Sequence, residues 1–314
     1  MPDPVVDQAR ATTRRVGRTF ALACRLLPRG VRDDVYLLYL VFRTLDDLVD
    51  SRDPRAEARI AAVEAWADLR PAQSPETDLL SALETRHRLP RYALADFCAG
   101  MRDDLSRHPI DTEVELDLYC YRVAGTVGLT MAAVLGVNDE PRALPAAIAL
   151  GQAMQRTNIL RDIDEDRDEG RCYLARETIE RFGQPLPGQR EGLLRDQIAR
   201  ADALYERGRA GVHLLSCGNY AIAAAARMYR EILREIERDG YGAHAGRAVV
   251  PTPRKLLLMA GAGGRRPSTP RASGPPLSRR CIRPTVRTPA EPLAPVHPAD
   301  DERVGDRQTE YHRQ

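Results

Sequence analysis

Apolar residues recur at three- and four-residue spacing along most of the first 260 positions, the pattern of helices with one buried face. The spacing predicts helices over residues 5–24, 31–50, 54–69, 76–87, 91–107, 113–136, 141–167, 191–215 and 218–239, with a short last helix from Pro253 to about Gly261. Pro28, Pro54, Pro71, Pro75 and the stretch Gly183 to Gly188 punctuate them, as residues that break or open helices should. Ala, Leu, Arg and Glu fill the segments, and all four are good helix formers. No stretch alternates with period two, so the predicted class is all-α. The pattern stops near residue 262. From Arg265 onward the chain holds 9 of its 23 Pro and few aliphatic residues. Such a segment cannot bury enough apolar surface to offset its ordering entropy. The expected organisation is therefore a helical domain at 1–262 and a disordered tail at 263–314, either an interaction tail or a frameshifted end.

Two places break the amphipathic rule. The run Val35 to Phe42 is the most apolar in the chain, and one turn beyond it Asp46 and Asp50 stand at i, i+4. Farther on, Asn158, Asp162 and Asp166 stand at i, i+4, i+8. Residues four apart lie above one another on a helix, so each set forms a column of oxygen-bearing side chains. Like charges stacked this way weaken a helix. Two readings remain for the second column. It is a solvated acidic face, continued by Asp164, Glu165, Asp168 and Glu169, or a site for hard cations, which take oxygen ligands. The first column tips the balance, because charge beside a buried helix is costly without a partner. Two acidic faces opposed across a cavity could clamp a diphosphate through bridging cations. Gln155 and Arg161 flank the second column and could hydrogen-bond that anion.

Composition narrows the classes. A hydrophobic content of 43% in 314 residues supports a real core, and a net charge of +2 argues against a dedicated nucleic-acid binder. The six Cys form no C-x-x-C pair, so neither zinc nor a disulfide framework is indicated and a reducing compartment is the simpler expectation. No apolar run reaches the length of a membrane span. The apolar piece Phe20 to Cys24 behind Arg14, Arg15 and Arg18 is too short for a signal peptide.

Four stretches together resemble the squalene/phytoene synthase family, whose members join two isoprenyl diphosphates head to head. Gly17 to Phe20 with Leu27 and Pro28 resembles its N-terminal substrate segment. Tyr39 to Arg43 with Asp46 and Asp50 resembles its first aspartate-rich motif. Tyr119 to Gly128 resembles its central signature, and Gln155 to Leu174 its long second aspartate-rich motif. Tyr229 with Ile232 and Leu233, and Pro251 to Lys255, look like its C-terminal elements. The resemblance spans about residues 10–260, and the bacterial phytoene synthase branch is nearest. It implies the all-α isoprenoid synthase fold, a single helical domain around a central cavity, with about three Mg²⁺ ions. By position it makes Asp46, Asp50, Asn158, Asp162 and Asp166 metal ligands. It places Tyr39, Arg43, Gln155, Arg161 and Tyr229 on the diphosphates, with Gly17, Arg18 and Thr19 beside them and Arg254 a weaker candidate. The family segment often has Ser at the positions of Gly17 and Thr19; Gly17 lacks the hydroxyl.

The implied chemistry is Mg²⁺-dependent coupling of two geranylgeranyl diphosphates to phytoene, through a cyclopropylcarbinyl diphosphate, without NADPH. Val123, Ala124, Val127, Leu129 and the apolar residues of 35–42 are wall candidates, though ordinary helix packing explains any one of them as well. Gly125 and Gly128 are costly inside a helix, and suggest close backbone approach or room for a prenyl chain. Tyr119 either steers the cation or the final proton, or simply satisfies a buried hydrogen bond. The alternatives are a C30 synthase making dehydrosqualene or squalene from farnesyl diphosphate, a chain-elongating prenyl transferase or terpene cyclase suggested by Asp46-Asp47-Leu48-Val49-Asp50, and a non-catalytic homologue. A monomer or weak dimer is expected in the cytoplasm, without nucleic acid, and with peripheral contact at the inner membrane face for product release.

Overall fold

The computed structural model describes residues 4–260, except for the side chain of Arg18; the predicted tail at 263–314 lies outside the described residues. The elements are α1 (Pro4–Val16), α2 (Arg18–Cys24), α3 (Arg29–Asp50), α4 (Ala56–Ala67), α5 (Pro75–Glu84), α6 (Arg91–Ser106), α7 (Glu113–Cys120), a π-helical turn (Tyr121–Gly125), α8 (Thr126–Leu135), α9 (Glu140–Asp168), α10 (Arg176–Phe182), α11 (Glu191–Gly211), α12 (Asn219–Arg238) and α13 (Thr252–Ala260). Among the described residues there is no strand, only an isolated bridge between Val137 and Leu215.

Local chemistry sets the ends. Ser74 and Thr77 form a capping box that opens α5, and Thr112 with Glu115 does the same for α7. Each box satisfies amide donors that the first helical turn leaves without partners. The carboxylate of Asp139 caps α9 by accepting from the amide of Arg142, with Pro141 in the first turn, where a missing N–H costs nothing. Three predictions need revision. The helix expected at 5–24 is two, because Gly17 departs from helical backbone and separates α1 from α2. Helix α10 was not expected, since its seven residues are too few for a periodic signal. The helix at 113–136 contains the π turn, where one extra residue per turn offsets the faces of α7 and α8. Joined across that turn, Glu113–Leu135 is long and apolar enough to cross a membrane, against the expectation from apolar runs alone; 56% of its most apolar window is buried inside the fold, as in a core helix.

The long helix α9 sits centrally. It packs against α11 along most of its length and against α8, the π turn and α12 on other sides. Where α9 meets α8, peptide groups touch. A Cβ on Gly128 would lie 2.3 Å from the carbonyl oxygen of Ala147, and one on Gly151 would lie 2.2 Å from that of Ala124. Glycine there is a condition of the packing, and close approach is the correct reading for Gly128. Two groups of buried side chains flank the centre. One gathers on α3 around Leu38 and Leu45, the other between α9 and α11 around Leu160, Ile198 and Leu204. Truncating a fully buried leucine such as Leu38 or Leu45 to Ala would cost about 2–5 kcal/mol. Between the two groups the helices enclose a cavity of about 440 Å³.

Candidate active site

The cavity has a charged mouth and an apolar body. On α3, Tyr39, Phe42, Arg43 and Asp46 line it, a spacing of three and four that puts them on one helical face. Arg43 donates to Asp46 at 2.6 Å and pairs with Asp47. Burial, and next the neighbouring charge of Asp50, push the Asp46 carboxyl up to about 7. Asp50 is held by Arg171 at 3.0 Å. Arg171 gets there because α9 ends in a turn through Gly170, at φ +69°, that folds the chain back. The same guanidinium donates to the hydroxyl of Tyr173 at 3.1 Å. The second acidic motif thus closes onto the first by its own C-terminal residues.

Across the mouth, α9 presents Gln155, Asn158 and Arg161. Asp162 accepts from Arg161 Nε at 2.7 Å and pairs with Arg247 Nε at 2.9 Å. Burial, then the charge of Asp162, raises the Asp166 carboxyl to about 7. Of the five buried side-chain polar atoms without a partner among the described residues, two line this mouth and their needs are opposite. Asn158 Oδ1 is an acceptor without a donor, and Arg43 Nε is a donor without an acceptor. Asn158 Nδ2 donates to Gln155 at 3.4 Å, which turns its oxygen away from that neighbour. A hard cation would suit the first atom and a phosphate oxygen the second.

The residues expected from the sequence are thus mostly brought together. Gly17, Tyr39, Arg43, Asp46, Tyr119, Gln155, Asn158, Arg161 and Tyr229 all line the cavity. A Cβ on Gly17 would stand 2.8 Å from the Tyr39 hydroxyl, so the bare glycine makes room for Tyr39, whose ring stacks on Phe20 at 5.0 Å. Asp50, Asp162 and Asp166 stand at the rim, on the same helices but not in the lining. Thr19 is half-buried outside the lining, and the Arg18 side chain is outside the described part. Arg254 donates to Glu231 at 2.5 Å and does not line the cavity. Among the described residues no group of three or more His, Cys, Asp or Glu converges on one point as a formed metal cluster. The donor set nonetheless fits magnesium: carboxylates on two helices, three of them held by arginines, and an orphaned amide oxygen between.

The apolar body is walled by Val123, Val127, Met131 and Leu135 of α8 and its π turn, facing Ala143, Ala147 and Met154 of α9. Ala124 also lines it, as do Tyr39 and Phe42 from the 35–42 run. Leu129 does not; it is 1% exposed and belongs to the helix packing. Four residues without an expected role belong to the site. Asp104 reaches the cavity from α6, and Arg171 and Tyr173 bridge its rim. Arg247 comes from the glycine-rich loop after α12. Asp104 had a signal, since it follows Phe97 and Met101 at i+7 and i+3 on the same face. Arg247 had none, because loops carry no period.

The geometry agrees with what this chain is similar to. The Squalene/phytoene synthase family model matches residues 13–254. A 15-cis-phytoene synthase of Synechocystis sp. is 37% identical over 281 residues, covering 80% of this chain and 82% of the relative. A phytoene synthase of Thermus thermophilus is 38% identical over 253 residues, covering 77% and 86%. Among solved structures, a dehydrosqualene synthase in complex with ligand superposes with a TM-score of 0.75 at 28% identity, covering 82% of this chain and 95% of that one. A family model spanning most of the described residues, on a helical fold with this cavity, leaves one assignment: the chain belongs to the squalene/phytoene synthase family.

Proposed function

We propose that the protein couples two geranylgeranyl diphosphates head to head and converts the resulting cyclopropylcarbinyl diphosphate to phytoene. The observation that carries this reading is the pair of opposed orphan atoms, Asn158 Oδ1 and Arg43 Nε, at the mouth of an apolar cavity. A metal diphosphate answers both. The cavity-lining stripe from Val123 to Leu135, like that from Asn158 to Ala143, runs for about 20 Å at about 1.5 Å per residue. That length suits an extended C20 chain.

Arg43, Arg161 and Arg247 bind and orient the diphosphates, with Tyr39, Gln155 and Tyr229 completing the contacts and Gly17, Arg18 and Thr19 beside them. Asp46 and Asp50 on α3 and Asn158, Asp162 and Asp166 on α9 would hold magnesium, which when bound would supply charge neutralisation for the departing diphosphate. The walls keep water from the allylic cation and hold the second alkene against it. The product is a hydrocarbon, so peripheral contact with a membrane serves its release from a cytoplasmic monomer or weak dimer.

The superposition on a dehydrosqualene synthase supports a second reading, C30 coupling of farnesyl diphosphate on the same machinery. One experiment tests both. The purified chain is incubated with Mg²⁺ and either substrate, with and without NADPH, and the extract is examined by mass spectrometry and absorption. A C40 hydrocarbon with near-ultraviolet triene absorption, formed without NADPH, is expected. A C30 triene would move the reading to the shorter substrate, and a hydrocarbon formed only with NADPH would sink the phytoene reading.

A further inference from the structure

The proposed reaction ends in loss of a proton, and the apolar body that excludes water also excludes water as the base. Two carboxylates line the cavity itself, Asp46 and Asp104. Asp46 is tied to Arg43 and belongs to the set assigned above to the metal diphosphate, so it is not free to take the proton. Asp104 differs in its partners. On α6, Phe97, Met101 and Asp104 form one face lining the cavity, and across it Tyr119, Val123 and Val127 form another. Both stripes change from polar to apolar at Asp104 and Tyr119. The Tyr119 hydroxyl donates to both Asp104 oxygens, at 3.1 and 3.2 Å. The Tyr119 ring is buried and stacked on Tyr173, with centroids 5.3 Å apart. The pair is therefore fixed in place, and the hydrogen-bond partners of Asp104 are tyrosine hydroxyls, with the Arg171 guanidinium acting only through its charge.

We propose that Asp104, acting through the hydroxyl of Tyr119, is the base that accepts the final proton. The C–H bond next to the cationic carbon breaks, and its electron pair becomes the new central double bond. The proton passes to the Tyr119 oxygen while the hydrogen of Tyr119 passes to Asp104. The result is a neutral triene and a carboxylic acid, with no other reactant. Burial raises the Asp104 carboxyl to about 6, which makes it a better proton acceptor than an ordinary aspartate. The inference rests on the coupling reaction proposed above.

The test measures how product is partitioned. Asp104→Asn keeps the size of the side chain and an oxygen for Tyr119 to bond. The full chain, wild type and variant, is given geranylgeranyl diphosphate and Mg²⁺, and triene, cyclopropylcarbinyl diphosphate and C40 alcohols are quantified together. The expected result is that the ratio of triene to the other two falls by about 10²-fold in Asp104→Asn, the usual size of a lost general base. Partial recovery of the ratio is expected in Asp104→Glu. A uniform loss of all products, or an unchanged ratio, overturns the assignment, because a purely structural Asp104 would not redirect the cation. If circular dichroism shows Asp104→Asn unfolded, Tyr119→Phe carries the test: the same fall in ratio supports the relay and an unshifted ratio overturns it. Wild-type protein that forms no coupled product overturns the coupling reaction itself, a result distinct from either.

Discussion

Helix α9 carries buried charge on two faces, and the faces follow opposite rules. On the outer face Arg156 is 2% exposed and donates to Glu113, Asp117 and Gln197. Asp164, on the same side, accepts from both terminal nitrogens of Arg190 and from the amide of Gly246; Arg190 in turn donates to the carbonyls of Gly242 and His244. Nothing on that face is left over. On the cavity face Asn158 has an oxygen without a donor, and burial beside Asp162 pushes Asp166 up to about 7. Charge is buried in both places, so burial alone does not mark a functional site. Unmet demand does. The satisfied face holds the helix and the 240–250 loop in register, and the unsatisfied face is the one to which the metal diphosphate is assigned in the proposal above.

The strongest way to break this contrast is to neutralise one carboxylate on each ligand-facing helix. Asp162→Asn or Asp46→Asn is expected to lower turnover by about 10²–10³ with a melting temperature no lower than that of the wild type; near wild-type turnover at saturating Mg²⁺ would contradict the assignment. The opposite signature is expected on the outer face. Arg190→Ala leaves the Asp164 carboxylate buried without its main partner, and chemical denaturation should show a loss of about 3–5 kcal/mol. A loss below 1 kcal/mol would mean that the outer pair is dispensable. Gly151→Ala, which forces a methyl against the Ala124 carbonyl, should cost about 1–3 kcal/mol in the same assay.

The smallest effect concerns pH. Asp46 and Asp166 bind protons more tightly folded than at their ordinary value of 3.8. Their contribution to stability is therefore full below about 4 and declines as pH rises through about 7. The outer face has the reverse sign, because its partners lower the Asp164 carboxyl, so its contribution is lost only as pH falls below about 4. Melting with chelator present should thus rise as the pH is lowered from about 8 to about 5, and Mg²⁺ should flatten the trend. A chelated protein that melts higher at alkaline pH would reverse the sign and refute the account.

The sequence could reveal the columns because the helix converts spacing into direction, so Asn158, Asp162 and Asp166 announce a shared face wherever they sit. A rotation of about 100° per residue turns Asp164, two positions beyond Asp162, away from them although it sits in the same acidic run. The sequence could not tell which of the two sides faces the cavity, because that is decided by α11 and the 240–250 loop. Arg247 was illegible for a related reason, since its position depends on a long-range pairing between Asp164 and Arg190. The break at Gly17 and the π turn at Tyr121–Gly125 showed only as single glycines, which helices also tolerate where they pack closely, so neither fixed its own outcome.

The contact between α8 and α9 has a consequence for engineering. At Gly128 and Gly151 the two helices meet through peptide groups, and both glycines border the cavity. No side chain remains there to trim, and a Cβ added at either glycine would enter the seam rather than the bore, so no substitution at that level can set the width through a side chain. Redesign for bulkier substrates has to look above or below this fixed gauge, to side chains such as Met131 and Met154, while the girth at the waist stays a property of the backbone.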